Sequence, residues 1–130
     1  FHALPGEAVA AVTARLAEVA AATAPLPLRV AGLRFLGRGV AYEIESAPLR
    51  ALRAELAGGW RDWLGTQDRQ GWRPHVTVQN KAPPEVARAI HATLAAGFTP
   101  WEATGEALLL WWYRGGPWEP AGDFAFAARE

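Results

Sequence analysis

One short segment of the sequence carries side chains that could perform acid–base chemistry on a phosphate ester. It runs from Arg73 to Lys81 as Arg-Pro-His-Val-Thr-Val-Gln-Asn-Lys. Its alternation predicts a β-strand, in which side chains two residues apart share a face. His75, Thr77 and Gln79 are therefore expected to project together. An imidazole can give or take a proton near neutral pH, and a Thr hydroxyl beside it can donate a hydrogen bond to a phosphate oxygen.

The neighbouring residues suit the same chemistry. Arg73 and Lys81 flank the pair and could add positive charge for an anion. Val76 and Val78 alternate with the pair, so we expect them to point into a core. A His-x-Thr match is weak evidence by itself. The competing interpretation is a strand histidine that is held by a neighbouring hydroxyl and has no catalytic role.

The spacing of apolar residues predicts the elements that must position this segment. Repeats of three and four indicate three helices, and alternation indicates five or six strands. In chain order we expect a helix from Pro5 to near Thr23, a hairpin of strands at 28–35 and 40–44, a helix capped by Ser46, a polar loop at 65–72, a strand at 75–79, a helix from Pro83 to Gly97, and two or three strands within 98–127. This order, with mostly antiparallel pairing, is typical of the α+β class.

Three local features are expected within these elements. The alternation slips at Ala31-Gly32, which indicates a β-bulge. Residues Leu108 to Tyr113 are apolar on both faces, so we expect that strand to be central in its sheet. The inward faces of the three helices are expected to comprise Val9, Val12, Leu16 and Val19, then Leu49, Leu52, Leu56, Trp60 and Trp63, and then Val86, Ile90 and Leu94.

The composition excludes several classes of protein. The 130 residues suffice for one domain with a core. Thirteen basic and thirteen acidic residues cancel, which argues against sequence-blind binding to polyanions. The absence of Cys excludes a disulfide scaffold, a thiolate zinc site and a Cys nucleophile. No apolar run approaches the roughly 18 residues of a membrane span, so no membrane partner is expected.

The segment from Arg73 to Val78 resembles the second signature of the 2H phosphoesterases, the two-histidine group that includes bacterial 2′-5′ RNA ligase-like proteins. The resemblance covers essentially all 130 residues. It implies a two-lobed α+β fold with mostly antiparallel sheets around a central groove, as one domain over residues 1–130. Further similar stretches are Phe1 to Pro5, Leu33 to Gly39, Arg61 to Leu64, Gln67 to Arg69 and Gly115 to Pro120.

The resemblance also implies a chemistry. In this family two histidines act as acid and base around a phosphodiester, often a 2′,3′-cyclic phosphate, and two hydroxyl residues hold phosphate oxygens. No metal or other cofactor is required. Carried onto this sequence, His75 is one acid–base group and Thr77 is one phosphate donor. The implied protein is a cytoplasmic bacterial enzyme that acts on RNA ends or cyclic nucleotides, by hydrolysis or by 2′-5′ ligation, with a monomer favoured.

The sequence departs from this pattern in one respect, because the family has two strands that each carry a His-x-Thr/Ser motif, and this chain shows one such strand. His2 is followed by Ala3 and Leu4, without a hydroxyl residue, so we expect it to end a strand or to lie at the rim of the groove. The chain starts with Phe1 and contains no Met. We therefore expect the first motif, with the first strand of the fold, in a segment ahead of Phe1.

Other residues could contribute to substrate binding. Tyr113 could stack on a nucleobase, although core packing is the more common fate of an aromatic strand residue, and the same holds for Trp112. Arg38, in the turn Gly37-Arg38-Gly39, could contact an anion. Arg34 and Arg69 could likewise steer a polyanion, although the solvated surface is the more common place for such residues. His91, on the third helix, is expected on the surface. The three histidines lack the spacing of a metal site.

Three classes of function stay open. The first is a phosphoesterase, and the second is a degenerate relative that binds RNA ends or nucleotides without turnover. A His-x-Thr/Ser ahead of Phe1 would favour the first over the second. The third is an interaction domain in which the motif is structural, and in that case the face that carries His75 and Thr77 would be packed.

Overall fold

The structure is a computed structural model that describes residues 1–127. The described part has the expected α+β class, with six strands and four helices, one helix more than the three that were predicted. In chain order they are α1 (Val9–Ala21), β1 (Leu26–Phe35), β2 (Val40–Glu45), α2 (Ala47–Gly59), α3 (Thr66–Arg69), β3 (His75–Gln79), α4 (Pro84–Ala96), β4 (Trp101–Gly105), β5 (Ala107–Trp112) and β6 (Glu119–Ala125), with 3₁₀ turns at Gly6–Ala8 and Arg61–Trp63.

The chain divides into two compact units. Within the described residues, the first unit comprises residues 1–26, 53–69 and 104–127, and the second comprises residues 27–52 and 70–103. The expectation of one domain over residues 1–130 stays a prediction, and its last three residues lie outside the described part. Among the described helices, none has both the length and the apolar character that crossing a membrane requires.

The second unit is built on a four-stranded sheet in the order β3-β2-β1-β4. β1 and β2 form the predicted antiparallel hairpin, and their register shifts between Val30 and Gly32, which confirms the bulge. β3 is antiparallel to β2 and lies at the edge of the sheet. This edge position determines how exposed the His-x-Thr segment is.

Ser46 joins the sheet to α2. Its hydroxyl accepts a hydrogen bond from the backbone N–H of Leu49 at 3.2 Å, which is the predicted N-cap. The same hydroxyl donates to the carbonyl oxygen of Pro27 at 2.8 Å. One side chain therefore ends β2, begins α2 and holds both against the start of β1.

In the first unit, α1 packs against a two-stranded antiparallel sheet of β5 and β6. The predicted inward stripe of α1 is confirmed at Val12, Leu16 and Val19, which are buried. The prediction that β5 is a central strand is wrong for the described residues. It pairs with β6 alone, and Leu109 and Trp111 are 55% and 45% exposed. An apolar pattern on both faces of a strand therefore does not establish that the strand has a neighbouring strand on each side.

Four predicted core residues are exposed. Trp63 is not on α2, because that helix ends at Gly59 and a 3₁₀ turn carries the ring to the surface. On α4 the fully buried residue is Ala87, while Val86 is exposed. Val76 and Val78 are also exposed, at 57% and 46%, because a strand at the edge of a sheet has a neighbour on one side only.

The loop predicted at 65–72 contains a short helix with a buried acid. α3 places Asp68 where only 7% of the residue is exposed. Its carboxylate accepts a hydrogen bond from the backbone N–H of His2 at 2.8 Å. The ring of Phe1 meets the ring of Trp60 edge to face, with centroids 5.3 Å apart. The N-terminal residues are thus attached to the first unit.

Gly39 brings the β1–β2 turn against the end of β3. A Cβ atom at this residue would lie 2.8 Å from the carbonyl carbon of Gln79 and would overlap the carbonyl oxygen. Only glycine allows the two backbones to approach this closely, so the turn fixes the position at which β3 ends.

Replacing Gly39 with Ala is expected to lower the free energy of unfolding by about 1–3 kcal/mol, the usual range for an overpacked site. Urea unfolding measures this. Gly71→Ala is the matched control, because nothing lies within 4 Å of its Cβ position, and it should change stability by less than about 0.5 kcal/mol. Equal losses in the two variants would contradict the close approach at Gly39.

Candidate active site

His75 and Thr77 project from one face of β3, and the pairing with β2 fixes their neighbours. His75 lies opposite Glu43, and Thr77 lies opposite Ala41. Both residues are exposed. The face that carries the His-x-Thr pair is therefore open to solvent. A purely structural motif was expected to lie on a packed face.

The His75 ring is oriented by the backbone of its own strand. Its Nδ1 lies 2.9 Å from the carbonyl oxygen of Arg73. A carbonyl oxygen can only accept a hydrogen bond, so Nδ1 must carry the proton. Nε2 makes no hydrogen bond within residues 1–127. The neutral ring thus presents a basic Nε2, and the protonated ring presents an acidic Nε2–H.

The hydroxyl of Thr77 is available for a ligand. No hydrogen bond from the described part of the chain occupies it. His75 is held by a backbone carbonyl and not by this hydroxyl, and its catalytic role stays a prediction. One proton-transfer group and one hydrogen-bond donor lie two residues apart, which is about 6.6 Å along a strand.

Arg73 lies beside the pair, but its charge is already balanced. Its guanidinium forms an ion pair with the carboxylate of Glu43. The side chains are 59% and 32% exposed, so the pair contributes little to stability, about 0–1 kcal/mol. Its consequence is electrostatic: Arg73 brings less net positive charge to this face than the sequence suggests.

Arg38 and Lys81 lie beyond the other end of β3, and that end is about 13 Å along the strand from His75. The Nε–H of Arg38 donates to the carbonyl oxygen of Ala82 at 3.2 Å, and the Ala82 N–H donates to the Arg38 carbonyl at 2.9 Å. Lys81 has a left-handed backbone, with φ 57°, and its N–H donates to Oδ1 of Asn80 at 2.9 Å. These contacts make Arg38 part of the turn structure.

Gln79 does not continue the row of His75 and Thr77. The register with β2 shifts between the pair Ala41–Thr77 and the pair Val40–Gln79, so strict alternation ends at Thr77. The side-chain oxygen of Gln79 is buried and has no hydrogen-bond partner. Gln79 is thus a partly buried residue at the end of the strand, and the expectation that it shares the face of His75 is wrong.

Tyr113 belongs to the first unit. Its ring stacks on the ring of Trp118, with centroids 4.7 Å apart and an angle of 21°. Tyr113 is 62% exposed and Trp118 is 57% exposed. Core packing is therefore not the fate of Tyr113. Trp112 is partly buried, and the guanidinium of Arg114 lies 4.9 Å from its ring centroid.

Two charged residues near the His-x-Thr pair were not predicted from the sequence. Glu43 is the cross-strand neighbour of His75, and Arg34 is the cross-strand neighbour of Ala41 on β1. Only the register could have revealed them. His91, expected on the surface, is partly buried, and its ring packs edge to face on Phe35 at 6.2 Å. Among residues 1–127, no group of three or more acidic or histidine side chains could hold a metal ion.

The chain is similar to a known family in sequence and to a known structure in fold. A family model described as the 2′-5′ RNA ligase superfamily matches residues 1–117. The fold is similar to that of TT0787 of Thermus thermophilus, known from a crystal structure, with a TM-score of 0.59 and 19% sequence identity over 97% of this chain and 74% of that one. No curated protein matches the sequence significantly.

We expect neutral His75 to carry its proton on Nδ1, because the carbonyl oxygen of Arg73 accepts from this nitrogen. Long-range ¹H–¹⁵N correlation spectra of the ring distinguish the two tautomers at about pH 8.5, where an ordinary imidazole is neutral. The spectrum of a His75→Gln variant assigns the signals. A ring protonated on Nε2 would show that the contact with Arg73 does not form in solution.

Proposed function

The chain belongs to the 2′-5′ RNA ligase superfamily, and from this premise we propose that it hydrolyses 2′,3′-cyclic phosphodiesters of RNA ends or nucleotides. Membership confirms the resemblance to the 2H phosphoesterases and implies an enzyme of the phosphoesterase or RNA ligase type. The observation that carries the proposal is the exposed face of β3, where Nε2 of His75 and the hydroxyl of Thr77 are both available to a phosphate group.

In the proposed reaction, water attacks the phosphorus atom while one histidine accepts its proton. A second histidine gives a proton to the ribose oxygen that leaves, so the ring of the cyclic phosphate opens to a monoester. His75 takes one of these roles through Nε2. Thr77 donates a hydrogen bond to a phosphate oxygen and stabilises the charge that develops there. Ligation would follow the same course with a ribose hydroxyl in place of water as the attacking group, so that ring opening of the cyclic phosphate yields a phosphodiester in place of a monoester.

The proposal includes a second strand with a His-x-Thr/Ser motif outside residues 1–130. Within the described part of the chain the motif lies on a strand at His75 and Thr77, and the other match, His91-Ala92-Thr93, lies on α4. We further propose that the enzyme works in the cytoplasm, as a monomer and without a metal. Because only one strand among the described residues carries the motif, one alternative function is favoured: a degenerate relative that binds RNA ends or nucleotides without turnover. The two proposals differ in whether the full-length protein turns over a cyclic nucleotide.

The full-length gene product is expected to hydrolyse adenosine 2′,3′-cyclic monophosphate, and His75→Ala should lower kcat by about 10²- to 10⁴-fold, the usual contribution of a general acid or base. Thr77→Val should lower kcat less, because it removes one hydrogen bond. His91→Ala is the control for histidine loss in the same unit and should keep its activity. Product release is followed by chromatography.

Absence of turnover in the wild-type protein, while the nucleotide still binds, would favour the binding module. Turnover that His75→Ala leaves intact would exclude His75 as an acid or base. Conclusions from the His75→Ala variant require that it is folded, which an unchanged unfolding midpoint would show.

We propose in addition that Tyr113 and Trp118 stack on a nucleobase. Their rings already lie nearly parallel and are more than half exposed, so a third ring could extend the stack without rearrangement. Stacking on an aromatic side chain contributes about 1–3 kcal/mol per base in single-strand binders.

Tyr113→Ala is therefore expected to weaken binding of adenosine about 5- to 100-fold. Tyr113→Phe keeps the ring and should behave like the wild type. Titration calorimetry with both variants measures this. Unchanged affinity in Tyr113→Ala would show that the exposed rings do not contact the base.

A further inference from the structure

We propose that Arg34 is a phosphate-binding residue, and that it forms with Thr77 a subsite for a single phosphate group. The inference deepens the proposed function, since it rests on the same face of the sheet. It assigns a role to a residue that the sequence placed on the solvated surface.

The register of the sheet arranges this face in two rows. Side chains directly opposite one another on antiparallel strands share a face, with Cβ atoms about 4.5–5.5 Å apart. Arg34 and Thr77 therefore lie about 10 Å apart at the backbone, with only a methyl group between them. One row consists of Gly32, Glu43 and His75, and the other consists of Arg34, Ala41 and Thr77.

The charges on this face single out Arg34. The guanidinium of Arg73 is neutralised by Glu43. Arg34 makes no ion pair or hydrogen bond with any residue in the described part of the chain, and its cross-strand neighbour is Ala41 and not a carboxylate. A negative charge placed at Thr77 would therefore find an uncompensated cation, Arg34, on the same face of the sheet.

The burial pattern indicates how the side chain is held. Ala41 is fully buried, and Arg34 beside it is partly buried. A long arginine side chain covers apolar neighbours with its methylene groups and keeps its guanidinium in water. The guanidinium is a planar fork that can contact two oxygens of one phosphate, so the residue is suited to bind a phosphate held by the hydroxyl of Thr77.

This arrangement favours one class of ligand. A phosphodiester, including a 2′,3′-cyclic phosphate, carries one negative charge, which one unpaired guanidinium balances. Binding of the anion would leave the Arg73–Glu43 pair undisturbed. Arg34 is thus assigned to the phosphate itself and not to the ribose or the base.

The test is a titration of the full-length protein with inorganic phosphate, followed through the amide signals of His75 and Thr77, because binding of this probe does not depend on turnover. Arg34→Gln is expected to weaken binding about 10- to 100-fold, the effect of losing a charged hydrogen-bond partner. Arg34→Lys should lose less, since it keeps the charge without the fork. Arg29→Gln is the matched control, on the same strand but opposite Glu45.

Parallel kinetics with adenosine 2′,3′-cyclic monophosphate separate this inference from the proposed function. If phosphate binding depends on Arg34 but the protein does not turn over the cyclic nucleotide, the subsite is supported and the phosphoesterase proposal is contradicted. If the protein turns over the nucleotide and Arg34→Gln leaves KM unchanged, the subsite is overturned and the phosphoesterase proposal is retained. Equal effects of Arg34→Gln and Arg29→Gln on phosphate binding would overturn the subsite in the same way. A wild-type protein in which phosphate moves neither signal would also overturn the subsite.

Discussion

The candidate site depends on the antiparallel register between β2 and β3. This register places His75 opposite Glu43 and Thr77 opposite Ala41. A shift by one residue would turn both functional side chains to the other face, where Val76 and Val78 now lie. The backbone hydrogen bonds that hold the register therefore do more for the chemistry than any contact between the side chains themselves.

Two features that can be recognised in the sequence position the strands around this register. The β-bulge between Val30 and Gly32 sets the face on which Arg34 emerges from β1. At the other end, Gly39 lets the turn after β1 touch the backbone of Gln79, and the contacts between Arg38 and Ala82 close the turn. The residues of the turn thus affect His75 and Thr77 indirectly, because they position the end of β3.

Local patterns predicted the site in part. Alternation was enough to pair His75 with Thr77, because both lie on one regular stretch of strand. It could not predict that Val76 is exposed, since the exposure follows from the edge position of β3 in the sheet. Glu43 and Arg34 were missed for a related reason: they reach the site only through pairing between strands that are distant in sequence. For the same reason, the apolar pattern of β5 did not predict which strands pair with it.

The most direct test of this account is a crystal structure of the full-length protein with adenosine 2′-monophosphate, one of the two monoesters that opening of the cyclic phosphate can form. The account predicts a phosphate oxygen within hydrogen-bond distance, about 2.7–3.2 Å, of both Nε2 of His75 and the hydroxyl of Thr77. A phosphate bound away from this pair, or on the face of β3 that carries Val76, would contradict it.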